Sequence, residues 1–196
     1  LFVTSAAKTS GVMNTPMSVD LAPELAKLPG VEMVDRLRIF PHDVLGLRIF
    51  VVSLSADIYE KRGKPEVIDG HLPNAEERAG GWVMVSENFA RRRKLRAGDS
   101  FPITTPTGER TYRVCGVIVD YTSDQGSVFL DRSIFLEQFK DTRTDTFELY
   151  LSDLSKLDEV RRTITERYGK QYDLYVLSNA ELRKEAKDLV GNAFSV

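Results

Sequence analysis

Leu21, Leu25 and Leu28 recur at helical spacing behind Asp20, with Pro23 in the first turn and Gly30 past the end, which predicts a short helix capped by Asp20. Two runs rich in β-branched and aromatic residues follow, Val31 to Phe40 and Val44 to Leu54, and they predict antiparallel strands turning at Pro41-His42-Asp43. Charged residues, Gly and Pro then take over from Glu60 to Gly81, the composition of a connection between lobes. Trp82 to Val85 resumes as a strand, and Ser86 caps a helix that turns Phe89, Ala90 and Leu95 inward and stops at Gly98-Asp99. Phe101 to Thr105 and Arg110 to Asp120 form a hairpin around Pro106-Thr107-Gly108-Glu109. After Gly126, Ser127 to Leu130 is a strand, and Asp131 caps a helix bearing Ile134, Phe135 and Phe139.

The last third alternates strand and helix. Thr146 to Leu151 and Asp173 to Leu177 are the strands, and between them Leu157, Val160, Ile164 and Tyr168 share a helical stripe capped by Ser155 and ended by Gly169. Ser178-Asn179-Ala180-Glu181 has the form of a capping box and opens a closing helix whose apolar stripe is Leu182, Ala186, Leu189 and Ala193. The first helix and strands, with these final units, make an α+β sandwich too small in either half to bury a core alone, so the β-rich middle reads as an insertion between the halves. The boundaries this implies are residues 1–65 with 140–196 for the split subdomain and 66–139 for the insert.

At 196 residues the chain has room for one large domain or two small lobes. Lys and Arg number 27 against 29 Asp and Glu, a net charge of −2 that removes the broad positive field non-specific nucleic-acid binding needs. The single cysteine, Cys115, excludes an internal disulfide and a cysteine-based zinc site. No window approaches the ~18 apolar residues of a membrane span. The chain opens at Leu1 and stops while an apolar helical stripe is still running, so it reads as a piece of a longer protein.

Chemistry-bearing motifs are missing. His42 and His71 are isolated in turn-like segments without ligand partners at metal spacing, and no serine sits in a nucleophile elbow. Neither glycine-rich phosphate cradle occurs. Glu76-Glu77 and the Glu185/Asp188 pair lie on charged, solvated faces rather than in opposed environments of the kind that tune acid–base pairs. Cys115, in a strand beside Gly116, reads as a small buried hydrophobe. Arg91, Arg92, Arg93 and Lys94 are the densest charge run, with a helix's outer face as the plain explanation and acidic headgroups or an acidic partner surface as the functional one. No catalytic, cofactor or metal site is expected.

One resemblance carries further. Val85-Ser86-Glu87-Asn88-Phe89-Ala90, Leu95-Arg96-Ala97-Gly98-Asp99, the run from Tyr112 to Asp120 and Gly126-Ser127-Val128-Phe129-Leu130 occur in an order similar to the extracytoplasmic core domain of ABC-transporter permeases of the MacB/FtsX/LolC type. Leu28-Pro29-Gly30-Val31 upstream and the Leu157-Asp158-Glu159-Val160 helix downstream extend the likeness. The resemblance implies a porter-like subdomain with an inserted β-rich, Sabre-like subdomain, held outside the cytoplasmic (inner) membrane by flanking transmembrane helices. It also implies a separate ABC ATPase subunit, a second permease copy or homologue, and a periplasmic adaptor or a lipoprotein, lipid or peptide cargo. The chain itself is then not an enzyme, and Leu182, Ala186, Leu189 and Ala193 mark a helix coupling it to the membrane. A free-standing periplasmic ligand-binding or adaptor module is the alternative.

Overall fold

The computed structural model describes residues 1–6, 8–10, 13–63, 65–120, 123–182 and 184. It divides into two units, Leu1–Asp35 with Arg143–Val196, and Arg36–Thr142.

The first unit is a sheet covered by helices. Strand β1 (Phe2–Ser5) is central, pairing antiparallel with β11 (Thr146–Leu151), where Val3 faces Phe147, and with β12 (Leu174–Leu177), where Val3 faces Val176. On the far side of β11 lies β4 (Val31–Val44). A two-strand hairpin, β2 (Lys8–Ser10) with β3 (Met13–Asn14), follows β1. Helix α1 (Ala22–Leu25) and helix α6 (Leu157–Ile164) bring Leu21, Leu25, Val160 and Ile164 onto Val3, Phe147 and Val176. Leu28 is buried in the same cluster; the N-cap is Leu21 rather than the expected Asp20, which sits one residue earlier and accepts a hydrogen bond from the Ala22 amide.

The second unit is a mixed sheet with both faces covered. In spatial order, the rest of β4 is followed by β5 (Leu47–Leu54), β10 (Ser127–Asp131), β7 (Trp82–Ser86), β9 (Gly108–Ile118) and β6 (Val67–Gly70), and β8 (Ser100–Thr105) also pairs with β9. Period-two alternation sorts the side chains. Ile49, Val51, Val83, Val85, Val128 and Leu130 enter one core with Phe89 and Phe135, whereas Val52, Leu54, Met84 and Phe129 enter another with Cys115 and Ile118. Sheets buried on both faces need near-continuous apolar runs, which is what Val83-Met84-Val85 and Val128-Phe129-Leu130 supply. Short helices α2 (Ala56–Ile58), α3 (Ala75–Ala79), α4 (Glu87–Arg93) and α5 (Arg132–Phe139) accompany these strands.

Four further sequence expectations need correction. The turn between β4 and β5 is not at Pro41-His42-Asp43, which stay in the ladder opposite Phe50, Ile49 and Arg48. It lies at Leu45-Gly46, where both residues have positive φ. The compact units divide at 35/36 and 142/143 rather than at 65/66 and 139/140. The reason is that β5 pairs in parallel with β10 over Phe50–Leu54, which keeps the β4–β5 hairpin with the second unit. Ser155 is not the cap ahead of α6: Asp153 accepts from the Ser155 amide and opens a 3₁₀ turn at Leu154–Lys156. Gly169 does not end that helix, which widens into a π turn at Thr165–Gly169 and continues as α7 (Lys170–Tyr172) to a left-handed Asp173.

Candidate interaction surface

Helix α4 leaves β7 through Ser86, whose hydroxyl donates to Asn88 Oδ1 and accepts from the Ser127 amide. Phe89 and Ala90 are buried by this anchoring, so Arg91 and Arg92 point outward. Gly126 makes the fit possible, since a Cβ there would stand 2.4 Å from the Phe89 Cβ. Lys94 closes the helix in the left-handed conformation, and the Leu95 amide donates back to the Ala90 carbonyl. Cations are favoured at this end of a helix by its dipole. Among the described residues the run has one carboxylate partner, Glu87, 3.9 Å from Arg91. Arg92 donates to the Asp124 carbonyl, a neutral acceptor.

The other expected positions are structural. Cys115 is fully buried and donates its S–H to the Val83 carbonyl at 3.0 Å, and burial pushes its thiol up to about 12. His42 Nε2 is 2.7 Å from the Thr104 carbonyl and its ring packs against Phe40 and Phe139. His71 is less isolated than its sequence context suggests, with Nε2 2.9 Å from Glu77 Oε1. Glu77 also accepts from the Asn74 amide in a capping box at α3, a role its setting in the charged connection hid. No cluster of three metal-ligating side chains occurs among the described residues.

Of the coupling stripe, Leu182 stands 36% exposed rather than docked, and Ala186, Leu189 and Ala193 lie outside the described residues, as do Glu185 and Asp188. The capping box before it is formed: Glu181 accepts from the Ser178 amide and donates its own amide to Ser178 Oγ. Arg161 clasps the same carboxylate at 3.0 and 3.1 Å. Among the described residues no helix is long and apolar enough to cross a membrane.

No family model matches the chain. Over a 203-residue alignment that includes all of it, the chain is 27% identical to an uncharacterized ABC transporter permease protein of Mycobacterium tuberculosis, and it spans 24% of that protein's length. Its fold is similar to the periplasmic region of MacB from Actinobacillus actinomycetemcomitans, with a TM-score of 0.65 and 13% identity over 95% of this chain and 91% of that one. It is similar also to the extracellular domain of the noncanonic ABC-type transporter YknZ from Gram-positive bacteria, with a TM-score of 0.63 and 12% identity over 90% of this chain and 98% of that one. The α+β fold expected from the sequence is the fold of these domains. Along its whole length the chain is thus similar in sequence to part of an ABC transporter permease, and it has the fold of the periplasmic region of MacB and the extracellular domain of YknZ.

Proposed function

We propose that the chain couples movement of flanking transmembrane helices, driven by ATP hydrolysis in a separate subunit, to cargo export or partner control outside the membrane. In this reading the first unit is the porter-like subdomain and the second the Sabre-like insert. The carrying observation is the alignment of the entire chain with about a quarter of a permease, which leaves the larger part of such a protein for spans and other domains. Two features support it further. Both ends of the chain belong to the first unit, so displacement of either flank acts on that unit before the insert. Among the described residues, Glu77, Glu181 and Ser86 serve as caps and ties of the fold.

The closing helix expected from the sequence is the lever in this mechanism. A flexible Gly-Ser insertion after Val190 in the full-length permease is expected to leave the domain folded and ATP turnover intact while abolishing export. Wild-type export with the insertion in place would refute mechanical coupling and favour a passive binding platform.

A further inference from the structure

The first unit carries the most exposed large apolar side chain described, Leu154 at 77%. It sits on the 3₁₀ turn opened by Asp153, and Asp158 and Glu159 follow in the first turn of α6, all three exposed. Lys156 is the one cation on this turn, and its stem is laid over Gly30, where a Cβ would meet its Cδ at 2.9 Å. Neither Asp158 nor Glu159 is in an ion pair among the described residues. The hydrogen bond from the Ser155 side chain, before any other cause, lowers the Asp153 carboxyl below its ordinary range, so it stays negative near neutral pH.

The second unit carries the opposite arrangement. Leu45 is 37% exposed at the tip of the β4–β5 hairpin, and a Cβ on the adjoining Gly46 would lie 3.7 Å from a terminal nitrogen of Arg93. The tip that bears Leu45 therefore adjoins Arg93 of the Arg91–Lys94 run, in which Glu87 is the one carboxylate partner among the described residues. In both places the helix dipole favours the sign of the charge, negative at the start of α6 and positive at the end of α4, so each cluster is compatible with its own fold.

We propose that these two surfaces meet between two copies of the chain: the Leu154 turn of one copy seats beside Leu45 of the other, with Asp158 and Glu159 facing Arg91 and Arg92. The occupant is a second copy because each surface offers one exposed leucine within charge of the opposite sign. The inference rests on the permease reading, which brings two copies into one membrane. Exposed ion pairs and a single apolar contact are individually weak. The contact consequently depends on the high effective concentration that shared membrane anchoring supplies, and the separate chain stays monomeric at micromolar concentration.

The test uses full-length permease with cysteines outside residues 1–196 removed. Two differently tagged copies are co-expressed, Leu45→Cys in one and Leu154→Cys in the other, and membranes are oxidised with copper–phenanthroline. Cys115 stays silent because it is buried and its thiol is held at about 12. A disulfide joining the two tags is expected, and none when both copies carry Leu45→Cys. Arg91→Glu with Arg92→Glu in the first copy should lower the yield about fivefold, since two exposed ion pairs become repulsive. Asp158→Arg with Glu159→Arg in the second copy should restore it. No joined product, a disulfide formed within one copy that carries both cysteines, or a yield indifferent to charge reversal would overturn the proposal, the last pointing to an acidic partner of another kind. Loss of the cross-link with export still sensitive to the Val190 insertion ends this inference and leaves the coupling mechanism standing. The converse result does the reverse.

Discussion

Two ion pairs of nearly equal length in the second unit differ in burial, and that difference sets their worth. Arg38 Nε is 3.0 Å from Asp141 Oδ2, with side chains 7% and 15% exposed, whereas Arg48 is 2.9 Å from Asp43 with side chains 61% and 72% exposed. Asp141→Ala removes this carboxylate from a buried guanidinium that also meets the Ile39 carbonyl and the face of Phe40, 5.2 Å away. Breaking a buried pair from one side costs about 3–5 kcal/mol, because the remaining charge stays desolvated. Asp43→Ala should cost less than about 1 kcal/mol, since water already screens that pair. With a urea slope of about 2 kcal/mol/M, the first substitution moves the unfolding midpoint by at least ~1.5 M and the second by under ~0.5 M. Trp82, the sole tryptophan, lies in this unit, so its fluorescence follows the relevant transition. Raising NaCl to 0.5 M should shrink the Asp43 effect and leave most of the Asp141 effect. Equal midpoint shifts for the two single substitutions would refute the assignment of the energy to burial.

Cys115 should resist a thiol reagent such as DTNB at pH 8 in the folded chain and react at once in urea, because burial holds the thiol protonated up to about 12. Rapid stoichiometric labelling of the native chain would contradict its burial on β9 against β7. Glu181 is held down to about 2, first by the Ser178 backbone and side-chain hydrogen bonds and then by Arg161. Its folded value lies below its ordinary value of 4.5, so its contribution is present above 4.5 and fades as pH falls toward 2. A carboxyl NMR titration of Glu181 with a midpoint near 4.5 would show that the capping box does not form in solution.

Elements whose signal is local were legible in the sequence. Asp131 caps α5 where its side chain reaches an amide two residues on, and Ser178 with Glu181 forms the box its spacing specifies. Thr105 pairs with Gly108 across Pro106-Thr107, as a hairpin with those turn residues should. Elements defined by partners distant in sequence were not. Phe2–Ser5 is too short to show a period, yet it becomes the middle strand between β11 and β12 because Val3 meets Phe147 and Val176. Pro41 suggested a turn, but the true turn uses a left-handed Leu45, a conformation a leucine does not advertise. Helix α3 was overlooked inside the charged connection although Asn74 and Glu77 stand at capping-box spacing, and β6 is recognisable only through its pairing with β9. For the candidate surface, the Arg91–Lys94 run was visible as charge, but its neighbour Leu45 was not, since only the β4–β5 turn brings Gly46 to Arg93.

The placement of the insert follows from one pairing. Two strands joined in parallel cannot share a tight turn, so the chain between them must make a long crossover. Strands β5 and β10 are parallel, with Val51 opposite Val128 and Ser53 opposite Leu130, and the crossover from 55 to 126 contains β6 to β9 with α2 to α4. The β-rich middle is thus the excursion that a parallel pair demands, elaborated until it carries its own two-faced core. For that reason the natural boundary is the point in β4 where pairing passes from β11 to β5, and not the charged stretch further along. The chain enters the second unit at 35/36 and leaves it at 142/143. Just inside those crossings Arg38 holds Asp141 in the buried ion pair. Strand β4 and the segment that follows α5, the two stretches by which the chain enters and leaves this unit, are therefore tied to each other by a buried charge pair.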